Sequence, residues 1–144
     1  MCGIAGLIHR GKTSNVGEEL QNMLQALKHR GPDSTGYALY ANNDGQNFIL
    51  RFKVGENVGE GSTSINEDES VYNERKKSVD KKLSELGALV VKEEKLTPYS
   101  YRYEIKFDKD LMEFSKSIES IPSVEILSIG KSLELIKDLG DATV

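Results

Sequence analysis

The second residue carries the most chemistry in this 144-residue chain. Cys2 follows Met1 directly, and cysteine is small enough for an initiator methionine before it to be removed. Removal would leave a thiol and a free α-amine on one residue. An α-amine titrates near ~7.7–8.0, against ~10.4 for lysine, so a useful fraction is unprotonated at neutral pH and acts as a base. The thiol, near ~8.5 when unperturbed, is the better nucleophile once that proton is taken. Nucleophile and base then share one residue, and neither His9 nor His29 is needed for the chemistry. Taken alone, Cys2 also fits a small buried apolar side chain that happens to come early.

Elements must position that residue. The run Gly3-Ile-Ala-Gly-Leu-Ile-His9 is apolar until it meets charge and predicts a buried strand at the N-terminus. Leu20, Met23, Leu24 and Leu27 recur at three- and four-residue spacing and predict a helix, capped by Ser14 or Asn15 and carrying Glu18 and Glu19 in its first turn. His29-Arg-Gly-Pro32 stops it, since proline cannot continue a helix. Strands are predicted at 36–41 and 47–54, with the polar loop 42–46 between them reading as a hairpin connection.

Residues 55–73 hold three glycines, four Ser or Thr and five Asp or Glu, and read as a mobile linker. Beyond it the pattern gives a helix over 74–86 stopped by Gly87, a strand at 89–91, and a period-two strand in which Tyr101, Tyr103, Ile105 and Phe107 alternate with charge. A helix opening at Asp108 or Asp110, a strand over 124–129 and a last helix over 132–139 complete the prediction. If 47–54 is counted with this second unit, the order is β-α-β-β-α-β, the ferredoxin-like split βαβ. The domain reading is therefore 1–54, a linker at 55–73, and an inserted α/β unit over 74–144.

Two strings change the weight of Cys2. Met1-Cys-Gly-Ile-Ala-Gly-Leu7, followed by His29-Arg-Gly-Pro-Asp-Ser-Thr-Gly36, resembles the start of the class II glutamine amidotransferases, N-terminal-nucleophile (Ntn) hydrolases that release ammonia from glutamine. The His-Arg-Gly-Pro-Asp form and the later Glu125-Ile-Leu-Ser-Ile-Gly130 and Ile136-Lys-Asp-Leu-Gly140 look most like the branch related to glutamate synthase subunits. The resemblance is strong over 1–41 and faint from 42 to 144. It implies an α+β fold, part of the Ntn-hydrolase αββα sandwich with the ferredoxin-like unit inserted. It also implies Cys2 as the catalytic nucleophile, with Arg30, Gly31 and Asp33 at the substrate. The guanidinium of Arg30 would meet a carboxylate or brace the receiving loop, and Asp33 would accept N–H bonds in the tight turn, as Gly31 and Gly36 allow close backbone approach. A surface ion pair for Arg30 and a plain turn cap for Asp33 are the structural alternatives. No metal or cofactor is implied. Glutamine and a synthase domain or subunit that takes the ammonia are the implied partners.

The chain also departs from that family. A working member uses a His-Thr-Arg-type segment for the glutamine carboxylate, an Asn-Gly pair for the oxyanion hole and a later Asp for the glutamine amine, and none of these is present; Asn43-Asp44-Gly45 is not the pair. One oxyanion donor is worth roughly 2.7–4 kcal/mol, or ~10²–10³ in rate. The expectation is an N-terminal portion of a longer glutaminase, inactive until another segment or chain completes it. A non-catalytic regulatory or assembly subunit built on the ferredoxin-like module is the alternative.

Other classes fit less well. Gly6-Leu-Ile-His-Arg-Gly-Lys-Thr13 has the spacing of a phosphate-binding P-loop, but Leu-Ile-His-Arg is bulky where backbone amides must curl around phosphate. With 19 basic against 23 acidic residues the net charge is −4, and a nucleic-acid backbone is not an expected partner. No apolar run approaches the roughly 18–20 residues of a membrane span. One cysteine permits no internal disulfide, and Ile4 to Ile8 is too short for a signal-peptide core, so a cytoplasmic location is expected.

Overall fold

The computed structural model describes residues 3–11, 15–30, 34–40, 46–55 and 68–139. Their elements run α1 (Val16–Ala26), a 3₁₀ turn (Lys28–Arg30), β1 (Ser34–Tyr40), β2 (Phe48–Lys53), α2 (Glu69–Leu86), β3 (Leu89–Thr97), β4 (Ser100–Lys106), α3 (Leu111–Glu119), β5 (Glu125–Gly130) and β6 (Leu133–Leu139). The fold is mixed α and β with antiparallel sheets. One sheet has the order β3-β4-β2-β5, and β1 pairs with β6 in a second, two-stranded sheet.

The four-stranded sheet follows from strand alternation. Leu50, Phe52 and Val54 leave one face of β2, and Tyr101, Tyr103 and Ile105 leave the same face of β4. They form a core with Tyr72, Val79 and Leu83 of α2 and Phe114 and Ile118 of α3, all nearly or fully buried. Phe52 meets Tyr103 edge-on at 5.1 Å and stacks on Tyr101 at 5.4 Å, geometries that suit the ring quadrupole. Asp110 caps α3 by accepting from Met112 N and Glu113 N, each at 2.8 Å. Gly87 ends α2 at φ +81°, a left-handed conformation that glycine adopts without a Cβ penalty. The element order from β2 to β5 is β-α-β-β-α-β, as the alternation and helical spacing predict.

Five expectations are corrected. Residues 3–9 form no strand, and Ile4 and Ile8 stand 92% and 90% exposed. An apolar run needs a ladder partner as well as composition, and no described strand pairs with this one. The predicted hairpin of 36–41 with 47–54 does not form. Strand β2 instead lies between β4 and β5, where both its faces are covered, while β1 pairs with β6; the loop residues 41–45 lie outside the described part.

Residues 132–139 contain a strand rather than a helix. Leu133 and Ile136 imitate helical spacing, but Glu134, Ile136 and Asp138 also share one face of a strand, and the partners of Glu134 and Asp138 settle the competition. Helix α2 starts at Glu69, not 74, because Asp68 caps it at Ser70 N and Tyr72 is buried against the ring of Tyr99; the remaining linker residues 56–67 are outside the described part. Strand β3 also runs on to Thr97, well past the short apolar run at 89–91.

Candidate functional site

The N-terminal segment, α1 and β1 enclose one groove of about 410 Å³, lined on one side by Gly3, Ala5 and Leu7, on another by Leu20 and Leu24, and along β1 by Gly36 and Tyr37. Local sequence explains each wall. Asn15 caps α1 by accepting from Glu18 N, which fixes the helix so that Leu20 and Leu24, four apart, share a face. His9 Nε2 lies 2.9 Å from a carboxylate oxygen of Glu19 and ties the tail of the segment to the same helix. The volume suits a small molecule, and small residues bring backbone to its surface. A second cavity of about 320 Å³ opens on the β1–β6 sheet beside Ser34, Gly36, Leu135 and Ile136.

Charge holds β6, the ladder partner of the groove's strand. On β2 the face opposite the core carries Arg51 and Lys53, both buried. Strand β6 crosses this face and presents Glu134 and Asp138. Arg51 Nε donates to Glu134 Oε2 at 2.6 Å, and Arg102 of β4 donates through Nε and Nη2 to Oε2 and Oε1 at 2.9 Å each. Arg102 Nη1 reaches Glu94 of β3 at 3.2 Å. Farther along, Lys53 Nζ and the Tyr99 hydroxyl donate to Asp138 Oδ1 at 3.2 and 2.8 Å.

The electrostatics follow the geometry. Hydrogen bonds from Arg102, then from Arg51, hold the Glu134 carboxyl below its usual range although burial opposes them. The same pair raises Arg102. Burial first, and Asp138 second, push the Tyr99 phenol up to about 12.

The expected site residues fare unevenly. Cys2, Gly31 and Asp33 lie outside the described residues, and Arg30 is described only as the backbone end of the 3₁₀ turn. What the structure does bring together are their neighbours: Gly3, next to Cys2, and Gly36 of β1, the strand that opens one residue after Asp33, line the same groove. A Cβ at Gly36 would stand 3.5 Å from the Ile136 carbonyl, an ordinary contact, so no close backbone approach requires glycine there. His29 is exposed in the 3₁₀ turn. The P-loop reading lacks its strand, since residues 3–9 form none. Among the described residues no group of three or more His, Cys, Asp or Glu could hold a metal ion, and no helix is long and apolar enough to cross a membrane.

The buried Arg51, Lys53 and Glu134 and their half-buried partners Arg102 and Asp138 went unflagged in the sequence. Their signal was present as an Arg and a Lys inside the otherwise apolar strand Phe48–Lys53, where buried charges require partners.

Residues 1–51 match a family model described as "Glutamine amidotransferase domain". A protein of Methanothermobacter thermautotrophicus named "Putative glutamine amidotransferase" is 31% identical over 145 residues, which cover 97% of this chain and 44% of that protein. Together these matches support a glutamine amidotransferase family. The similarity to the first relative runs across both sheets, well past the quoted motifs, and the chain spans less than half of that relative's length. A protein of Methanocaldococcus jannaschii named "Putative asparagine synthetase [glutamine-hydrolyzing] 2" is 50% identical over 40 residues, 28% of this chain and 8% of that protein. No solved structure matches the chain.

Proposed function

We propose that this chain forms the front of a class II glutamine amidotransferase domain in which Cys2, freed of Met1, is the nucleophile. The observation that carries the reading is the amidotransferase match over residues 1–51, which contain both Cys2 and the Arg30–Asp33 turn. The groove shared by the segment after Cys2 and the strand after Asp33 supports it.

The chemistry follows from the residue type. The α-amine of Cys2 takes the thiol proton, and the thiolate attacks the side-chain amide carbon of glutamine. Collapse of the tetrahedral adduct expels ammonia, which leaves with the proton the amine had taken. Water, deprotonated by the same amine, then hydrolyses the thioester to glutamate. Arg30, Gly31 and Asp33 hold the substrate in this reading. The whole domain is an αββα sandwich, with the four-stranded unit inserted into it.

The ammonia passes to a synthase domain or subunit. The motifs at 29–33, 125–130 and 136–140 favour a glutamate-synthase-like acceptor, while the match to an asparagine synthetase spans only 40 residues. The four-stranded unit has a core of its own, which favours an assembly or regulatory role for that part of the chain.

Glutamate release by the full native protein, assayed with its synthase partner, tests the reading. Cys2→Ala should reduce glutamine hydrolysis by ~10³-fold or more. Turnover by that variant at the parent rate overturns it. If the variant still associates with the partner, the assembly role of the four-stranded unit stands apart from catalysis.

A further inference from the structure

We propose that Glu134 is a positioning residue for the glutamine site: clamped by Arg51 and Arg102, its carboxylate fixes β6 on the four-stranded sheet and through β6 sets β1, the strand into which the Arg30–Asp33 turn leads. The inference rests on the functional reading above and adds a residue to it that neither motif contains.

The chain of contacts is continuous. Arg51 and Arg102 are opposite each other in the β2–β4 ladder, so their guanidinium groups form a fixed cationic seat. Glu134 occupies it with three hydrogen bonds of 2.6 to 2.9 Å and is only 9% exposed. Four residues on, Asp138 receives Lys53 and Tyr99, so β6 is held near both ends. Every residue of β6 is then paired with β1, from Tyr40 opposite Leu133 and Leu39 opposite Glu134 to Thr35 opposite Asp138 and Ser34 opposite Leu139. A one-residue offset of β6 against β2 and β4 would turn Glu134 and Asp138 away from their partners, so the charge pairs fix where β6 lies, and the ladder carries β1 with it.

The clamp acts on one part of the site. Strand β1 follows the turn that the reading assigns to substrate binding, whereas the segment after Cys2 is not in the β1–β6 ladder. Loosening β6 should therefore weaken glutamine binding more than it slows the chemical step.

Inactivation by an electrophilic glutamine analogue, 6-diazo-5-oxonorleucine, separates these effects in the full native protein. Well below the unfolding temperature, Glu134→Gln should raise KI about tenfold while changing kinact less than about twofold. A side chain that serves stability alone would lower the Tm and leave both constants of the folded protein unchanged, and that result overturns the proposal. If circular dichroism shows that Glu134→Gln does not fold, Arg102→Lys, which keeps the charge and loses the two-pronged geometry, should raise KI in the same direction by about threefold, and an unchanged KI overturns it equally. A parent protein that takes no label at Cys2 would remove the functional reading and this inference together, whereas normal labelling of the parent with identical constants in the variant removes the inference alone.

Discussion

Arg51 and Arg102 face each other directly across the β2–β4 ladder, and the carboxylate of Glu134 lies between them. Like charges directly opposite destabilise a sheet, so this pair is tolerable only with an anion between them. The anion comes from β6, a strand of the other sheet. Charge therefore specifies where the two-stranded sheet sits, and the apolar core on the opposite face of β2 specifies the four-stranded one.

Removing that anion should be costly. Glu134→Gln leaves the buried Arg51 facing the half-buried Arg102 with no anion between them, and breaking a buried pair from one side costs about 3 kcal/mol or more. Glu85→Gln is the control: Glu85 is about half exposed and pairs with Lys81 and Lys82 at 3.9 and 3.5 Å, so its loss should cost under ~1 kcal/mol. Urea unfolding near neutral pH measures both, and equal small losses would contradict the account.

The same carboxylate makes stability depend on acid. Its pKa in the folded chain lies below the ordinary 4.5, so its contribution is fully present above that value and is lost as pH falls through the folded pKa. The gap in unfolding free energy between the parent and Glu134→Gln should stay constant around neutrality and narrow as pH falls below 4.5. A gap that persists unchanged would show that Glu134 is not held ionised by its arginines.

Two tyrosines should stay protonated while the chain is native. Tyr103 is fully buried, donates to Asp80 at 2.8 Å, and is driven far above its usual range, by burial first and Asp80 second; Tyr99 is pushed up to about 12. Both contribute stability that is present below the unfolded value of about 10 and lost as pH rises. Ultraviolet titration to about pH 11 should then ionise fewer than all six tyrosines in the native protein and all of them in denaturant. Replacing Tyr103 with Phe should leave the native amplitude unchanged; a decrease would mean that Tyr103 titrates freely.

The sequence made the four-stranded unit largely legible because local and tertiary signals agree there. The alternation at Tyr101, Tyr103 and Ile105, the Asp110 cap and the Gly87 stop all survive in the structure. The β1–β6 sheet was not legible, since its pairing joins residues about a hundred positions apart and rests on charges that a local pattern treats as solvated. Leu133 and Ile136 satisfied a helical period, and distant partners, the β1 ladder with Arg51, Arg102 and Lys53, make a strand of that stretch. For the site, the two motif strings fall within the stretch that matches the glutamine amidotransferase domain model, while the charges that hold β6 lie outside both strings.

The central claim concerns the state of residue 2. Mass mapping of the native protein after treatment with the diazo analogue of glutamine tests it most directly. The account predicts a mature chain that starts at Cys2, with Met1 absent, and a single adduct on the thiol of that first residue. A chain that retains Met1, or an N-terminal cysteine left unmodified while the analogue labels a known class II enzyme in parallel, would contradict it.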